Sequence, residues 1–160
     1  MGPEEGIDVS DPLQLVVITY VVMAVVMGFL WVVQRKTKNA AIVDVAWCAG
    51  LIAAVLSYMT QAPAGVERIL LTAMLVLLYA GRLGLHIYSQ RVTGQPEDGR
   101  YRRLRQKWGD AESVKMFVYF QWKALSVAVF SLPFLVVLWN TRIPSSVVEM
   151  VGLLIWSVAV

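Results

Sequence analysis

The sequence contains little of what a soluble or secreted protein needs. Charged residues make up 16% of its 160 residues and hydrophobic types 58%, whereas soluble domains carry about 25% charged residues. Cys48 is the only cysteine, which excludes an internal disulfide framework. His86 is the only histidine, and without a second histidine or cysteine nearby it does not indicate a metal site. The apolar content excludes a disordered chain and indicates a membrane protein.

Five apolar stretches predict an all-α fold, a polytopic transmembrane helical bundle. Leu13–Val33 contains no charged residue over 21 residues, and at ~1.5 Å per residue it matches a hydrocarbon core of ~30 Å. The other predicted spans are residues 41–60, 69–90, 114–139 and 146–160. The last stretch stops without a cap or a turn. We therefore expect residues 1–160 to be a single transmembrane domain that is truncated within a helix.

The basic residues fall in alternate loops, and this pattern predicts the orientation. Arg35, Lys36 and Lys38 lie in the loop 34–40, and six more basic residues lie in the loop 91–113. The other loops are nearly free of Lys and Arg. Basic loops remain in the cytoplasm. The sequence therefore predicts an external N-terminus and cytoplasmic loops at 34–40 and 91–113.

Several polar residues interrupt the predicted spans. Asp44 lies near the start of the second span, and charged residues within a span are candidates for function. The third span carries a stripe of polar residues at three- and four-residue spacing: Tyr79, Arg82, His86 and Gln90. Lys123 shares one face of the fourth span with Tyr119 and Ser126. Two interpretations stay open, a structural ion pair between Asp44 and Arg82 or a reaction cavity.

The loop 91–113 predicts a short amphipathic helix in the membrane plane. Tyr101, Leu104 and Trp108 recur on one helical face, and basic residues occupy the rest. The basic face suits either anionic lipid head groups or the phosphates of a dinucleotide. The acidic pair Glu97 and Asp98 disfavours a pure lipid anchor, because it would repel the same lipids.

Three groups of residues, taken in order, resemble a known family. They are Asp44-Val45-Ala46-Trp47, then Gly81-Arg82-Leu83-Gly84-Leu85-His86 followed by Arg91 and Gly94-Gln95-Pro96-Glu97-Asp98-Gly99-Arg100-Tyr101, and Phe117-Val118-Tyr119-Phe120-Gln121. In this order they resemble the bacterial DUF1295 membrane proteins, relatives of the steroid 5-alpha-reductases. The resemblance covers roughly residues 40–125.

The resemblance implies about seven spans and a cavity that faces the cytoplasm. It implies NADPH-dependent reduction of a carbon–carbon double bond next to a carbonyl in a lipid-like or steroid-like substrate. The candidate catalytic residues are Asp44, Tyr79, His86 and Tyr88. The candidate cofactor-binding residues are Arg82, Arg91, Glu97, Asp98, Arg100 and Tyr101. No metal and no nucleic-acid partner is expected, and the location implied is the bacterial inner membrane.

Two other functions stay open at this point. Similar proteins carry a second half with much of the nucleotide contact, so we expect this chain to be an N-terminal part that is inactive alone. Membrane methyltransferases of the isoprenylcysteine type share the same downstream helices and are one alternative. A structural membrane protein, whose polar stripe serves helix association, is the other. The oligomeric state stays open.

Overall fold

The protein is helical throughout the part that is described. A computed structural model describes residues 11–94, 96–141 and 146–159. Every regular element among these residues is a helix, which confirms the all-α prediction. The helices are α1 (Pro12–Thr37), α2 (Ile42–Met59), α3 (Val66–Val92), α4 (Gly99–Trp108), α5 (Glu112–Trp139) and α6 (Ser146–Ala159).

Four helical segments are long and apolar enough to cross a membrane. They are α1, α2, α3 and the segment Gly99–Trp139, which contains α5. The fifth predicted span coincides with α6, which is helical over 14 residues, fewer than the ~20 residues that a span needs. The described residues therefore supply four candidate spans, and α6 is a further apolar helix.

Local sequence signals explain where α1 begins and ends. The Asp11 carboxylate accepts a hydrogen bond from the Leu13 N–H at 2.9 Å, which satisfies one of the free donors at a helix N-terminus. Pro12 occupies the first turn, where its missing N–H costs nothing. The helix stops at Thr37, because Lys38 adopts a left-handed conformation with φ 53°.

Interhelical hydrogen bonds join the bundle inside the membrane. α5 packs along α1 and α2. The buried Tyr58 hydroxyl donates to Thr19 Oγ1 at 3.2 Å and lies 2.9 Å from Ser131 Oγ, which links all three helices. The Trp47 Nε1–H donates to Ser126 Oγ at 2.9 Å and adds a second link from α2 to α5. These pairs satisfy polar groups that lipid could not hydrogen-bond.

The two ends of α3 pack differently, and the difference creates a cavity. Val66–Val76 touches α5, whereas Arg82–Ile87 packs on α2. A Cβ atom on Gly84 would lie 3.1 Å from Cys48 Cβ, so the absence of a side chain allows the close approach to α2. Among the described residues, the second end of α3 does not come close to the α5 backbone. A space therefore remains between α2, α3 and α5.

The segment after α3 folds back over this space. Asp98 accepts a hydrogen bond from the Arg100 N–H at 2.8 Å and starts α4. The predicted apolar face of α4 exists, with Tyr101 buried and Leu104 and Trp108 partly buried. That face packs against side chains of α1, α2 and α5 rather than against lipid. Burial of this face places the start of α4 beside the first turn of α2.

Candidate functional site

A cavity of about 290 Å³ lies where α4 meets α2, α3 and α5. Its walls combine charged groups from four different helices with apolar side chains. The lining residues are Asp44, Trp47, Cys48, Leu83, His86, Ile87, Arg91, Arg100 and Lys123. A concave pocket with a few convergent polar groups is the usual form of a small-molecule site.

Asp44 is the central polar group of the cavity. Its side chain is 8% exposed, and each carboxylate oxygen has a partner. Lys123 Nζ lies 2.9 Å from Oδ1, and Arg100 Nη2 lies 3.2 Å from Oδ2. The Tyr101 hydroxyl donates to Oδ2 at 2.9 Å. These contacts hold one carboxylate between two cations, one from α5 and one from α4.

Asp98 joins the two arginines of the cavity at its mouth. Its Oδ2 atom lies 3.0 Å from Arg91 Nη1 and 3.2 Å from Arg100 Nη2. Burial acts to raise the pKa of the Asp98 carboxyl, but the hydrogen bonds from Arg100 and the positive charges of Arg100 and Arg91 outweigh it. The pKa therefore lies below the ordinary aspartate value. Asp98 is an anion between two cations that face the cavity.

A second ion network fixes the loop between α3 and α4 to the bundle. Arg105 pairs with Glu97, Nη2 to Oε1 at 2.9 Å, and also with Glu112. Its Nη2–H donates to the Oε1 atom of the fully buried Gln34 at 2.6 Å. Glu97 also accepts the Ala40 N–H at 3.0 Å. This network ties the 91–113 segment to the end of α1 and the start of α2.

The structure brings six of the ten candidate residues together. Asp44, His86, Arg91 and Arg100 line the cavity. Asp98 and Tyr101 contact those residues directly. The seventh, Glu97, belongs instead to the network around Arg105. The loop 91–113 and the first turn of α2 thus meet in one place, as the cavity interpretation requires.

The remaining three candidates lie on α3 and do not line the cavity. Tyr79 is 40% exposed and Tyr88 is 51% exposed, and Arg82 is exposed as well. The predicted stripe is interrupted because α3 contains two π-helical turns, at Leu77–Gly81 and Tyr88–Val92. Each wide turn changes the angular position of the residues that follow it. The observed cavity face of α3 is Leu83, His86, Ile87 and Arg91.

The ion-pair partner of Asp44 also differs from the residue considered in the sequence. Lys123 and Arg100 pair with it, in the place that the sequence suggested for Arg82. Lys123 was missing from the candidate list, although a lysine within an apolar span was itself a signal. Trp47 and Leu83 had no such signal, because apolar residues are ordinary in a membrane helix.

The site falls within a region that matches a known family model. Residues 30–160 match the family described as Protein of unknown function (DUF1295). The chain belongs to this family. The DUF1295 match includes the cavity and the second ion network and leaves out most of α1. No curated protein and no solved structure matched the chain.

Proposed function

We propose that this DUF1295 protein forms part of a membrane reductase that acts on a lipid-like substrate with NADPH as reductant. One observation carries the proposal. Asp44 lies between Lys123 and Arg100 in a cavity at one end of the spans, with His86 on the same wall. Charged groups convergent on a cavity in the membrane are expensive to maintain unless they have a role.

The residues at the mouth fit one part of a dinucleotide. Arg91 and Arg100 present guanidinium groups, which match phosphate oxygens. A volume of about 290 Å³ lies at the lower end of the ~300–1,000 Å³ range of ligand pockets. The cavity therefore suits one end of NADPH and leaves the rest to be enclosed elsewhere. The further spans that the family resemblance implies are the proposed second wall.

The chain itself supplies acid–base groups and shielding at the reacting end. NADPH supplies the hydride for one carbon of the substrate double bond, and a proton must reach the adjacent carbon. His86 is the proposed proton donor, because it lines the cavity, whereas Tyr79 and Tyr88 do not. Lys123 is placed to polarise the substrate carbonyl. Asp44 orients Lys123, and Trp47, Leu83 and Ile87 exclude water.

Binding titrations test this proposal. We expect the 160-residue chain in detergent to show no saturable NADPH binding at physiological salt, because exposed cations give only ~0–1 kcal/mol each and micromolar affinity needs ~8 kcal/mol. A form extended through the further spans should bind NADPH. In that form Arg100→Gln should weaken binding about ten-fold or more, because a charge-assisted contact contributes ~1.5–3 kcal/mol.

Arg103→Gln is the matched control for this titration. Arg103 is an exposed arginine on the same helix and does not line the cavity, so its replacement should leave the NADPH affinity unchanged. Tight NADPH binding by the 160-residue chain would contradict the incomplete site. Binding of S-adenosylmethionine in place of NADPH by the extended form would overturn the reductase and favour the methyltransferase. Binding of neither would favour a structural role.

The proposed orientation places the cavity mouth in the cytoplasm of a bacterial cell. Basic residues concentrate in the loops at the cavity end of the bundle, and such loops remain inside. A cysteine at Thr93 should resist an impermeant thiol reagent in intact cells, and a cysteine at Gln61 should react. The Cys48→Ala background removes the native thiol. The opposite labelling pattern would overturn the orientation and the access of a cytoplasmic cofactor to the cavity.

A further inference from the structure

We propose that a surface separate from the cavity binds anionic phospholipid head groups. This outer basic surface comprises the exposed cations of α4, the end of α1 and the start of α5: Arg35, Lys36, Lys38, Arg102, Arg103, Lys107 and Lys115. All seven lie at the same end of the bundle, where the membrane surface meets the loops. Their side chains are exposed, whereas the opposite face of α4 is packed on protein.

The structure divides the basic residues of α4 into three groups. Arg100 lines the cavity and pairs with Asp44. Arg105 is largely buried and pairs with Glu97 and Glu112. The exposed cations of α4 belong to neither site. Cofactor binding and lipid binding, which the sequence could not separate, are therefore assigned to different residues of one helix.

Hydrogen bonds hold α4, α1 and α5 together, so the exposed cations that these helices carry form one surface. The bond from Arg105 Nη2 to Gln34 Oε1 holds α4 against the last turn of α1. The Trp31 Nε1–H donates to the Ser113 carbonyl oxygen at 2.9 Å and holds the start of α5 there too. Arg35 directly follows Gln34, so the basic end of α1 lies beside the outer face of α4.

Three of the four acidic residues nearby are paired with arginines and do not repel an anionic membrane surface. Glu97 and Asp98 are only 10% and 12% exposed and are paired with arginines. Glu112 also pairs with Arg105. Asp110 is an exposed acid at this end of the described chain. The objection that Glu97 and Asp98 repel lipid head groups is removed, because both side chains face the protein.

The length of α1 places its basic end at the level of the head groups. Its 26 residues extend ~39 Å at ~1.5 Å per residue, longer than a hydrocarbon core of ~30 Å. The charge-free part of α1 is long enough to cross the hydrocarbon core, so Arg35 and Lys36 lie beyond the hydrocarbon. Each Lys or Arg near a membrane surface attracts anionic lipid. The position of these cations at the head-group level therefore favours anionic phospholipid as the partner.

Spin-labelled lipids in reconstituted membranes test the proposal. The fraction of motionally restricted lipid is measured with labelled phosphatidylglycerol and labelled phosphatidylcholine in phosphatidylcholine vesicles. The wild type should prefer phosphatidylglycerol to phosphatidylcholine. In the triple variant Arg102→Gln, Arg103→Gln, Lys107→Gln the ratio of the two binding constants should fall roughly ten-fold or more. High salt should reduce the preference, whereas inorganic phosphate at matched ionic strength should not compete.

A charge-conserving triple variant is the control. Arg102→Lys, Arg103→Lys and Lys107→Arg should keep the preference, because the attraction depends on charge and not on a shaped pocket. Circular dichroism and the melting temperature of both triples should match the wild type, since all three side chains are exposed. Equal retention of both lipids by the wild type, or an unchanged preference in the neutral triple, would overturn the proposal. Competition by free phosphate would show a soluble-anion site instead.

Discussion

Arg105→Met should lower the stability of the protein by about 3–5 kcal/mol, because the change leaves the largely buried Glu97 carboxylate and the part-buried Glu112 carboxylate without their cation. Arg105 is 16% exposed, and it neutralises both Glu97 and Glu112. Without it the two carboxylates face each other, and the Gln34 Oε1 atom loses its donor. The melting temperature in detergent should fall on the order of 10 °C.

Arg103→Met is the matched control for this prediction. The same substitution is made on the same helix, but at an exposed arginine outside both ion networks described above, so the loss of stability should stay within ~0.5 kcal/mol. Glu97→Gln together with Arg105→Met should recover part of the loss. Equal melting temperatures for the two Met variants would show that the second ion network does not hold the loop to the bundle.

Asp44→Asn should be nearly as costly, at about 3–5 kcal/mol, because it removes one partner from a buried set of charges. Asparagine fits the same space but removes the anion that pairs with Lys123, whereas Arg100 keeps its ion pair with Asp98. Lys123 lies within the α5 span, where an uncompensated cation costs ~2.5–3.5 kcal/mol on insertion scales. Chemical unfolding in detergent measures the loss, and wild-type stability in Asp44→Asn would contradict it.

Activity and stability should respond differently at Asp44. A double variant, Asp44→Asn with Lys123→Met, should regain stability, because it also removes the cation that Asp44→Asn leaves without an anion. It should not regain NADPH-dependent turnover in the extended form, because the cavity then lacks both the orienting carboxylate and the proposed polarising amine. Recovery of turnover as well as fold would make Asp44 a structural residue and leave the reductase proposal without its central group.

The sequence predicted the helices better than the faces that they present. The charge-free run Leu13–Val33 places α1 within a few residues of its observed bounds, because helix length and termini depend on local chemistry. The same holds for the apolar face of α4, where the spacing of Tyr101, Leu104 and Trp108 was sufficient. What α4 packs against depends on tertiary structure: the sequence predicted a helix in the membrane plane, and in the structure its apolar face packs on α1, α2 and α5.

The candidate site was predicted in part, and the errors have two physical causes, the irregular turns of α3 and the packing of α4. The stripe on α3 assumed 3.6 residues per turn, but two π-helical turns alter the spacing, and Tyr79 lies off the cavity. Tyr88 was not part of the stripe, and its place two residues after His86 puts it on another face of the helix. The partner of Asp44 was sought on a neighbouring span and lies on α4 and α5. Arg100 is 56 positions from Asp44, and only the packing of α4 brings them together.

The double-mutant cycle between Asp44 and Lys123 tests the central claim most directly. The free energy of unfolding is measured for the wild type, Asp44→Asn, Lys123→Met and the double variant. Because the two side chains lie 2.9 Å apart, we predict that the double variant loses about 1–3 kcal/mol less than the sum of the singles. A parallel cycle of Asp44→Asn with Arg103→Gln should be additive. Additivity in the Lys123 cycle as well would contradict the paired carboxylate at the centre of the cavity.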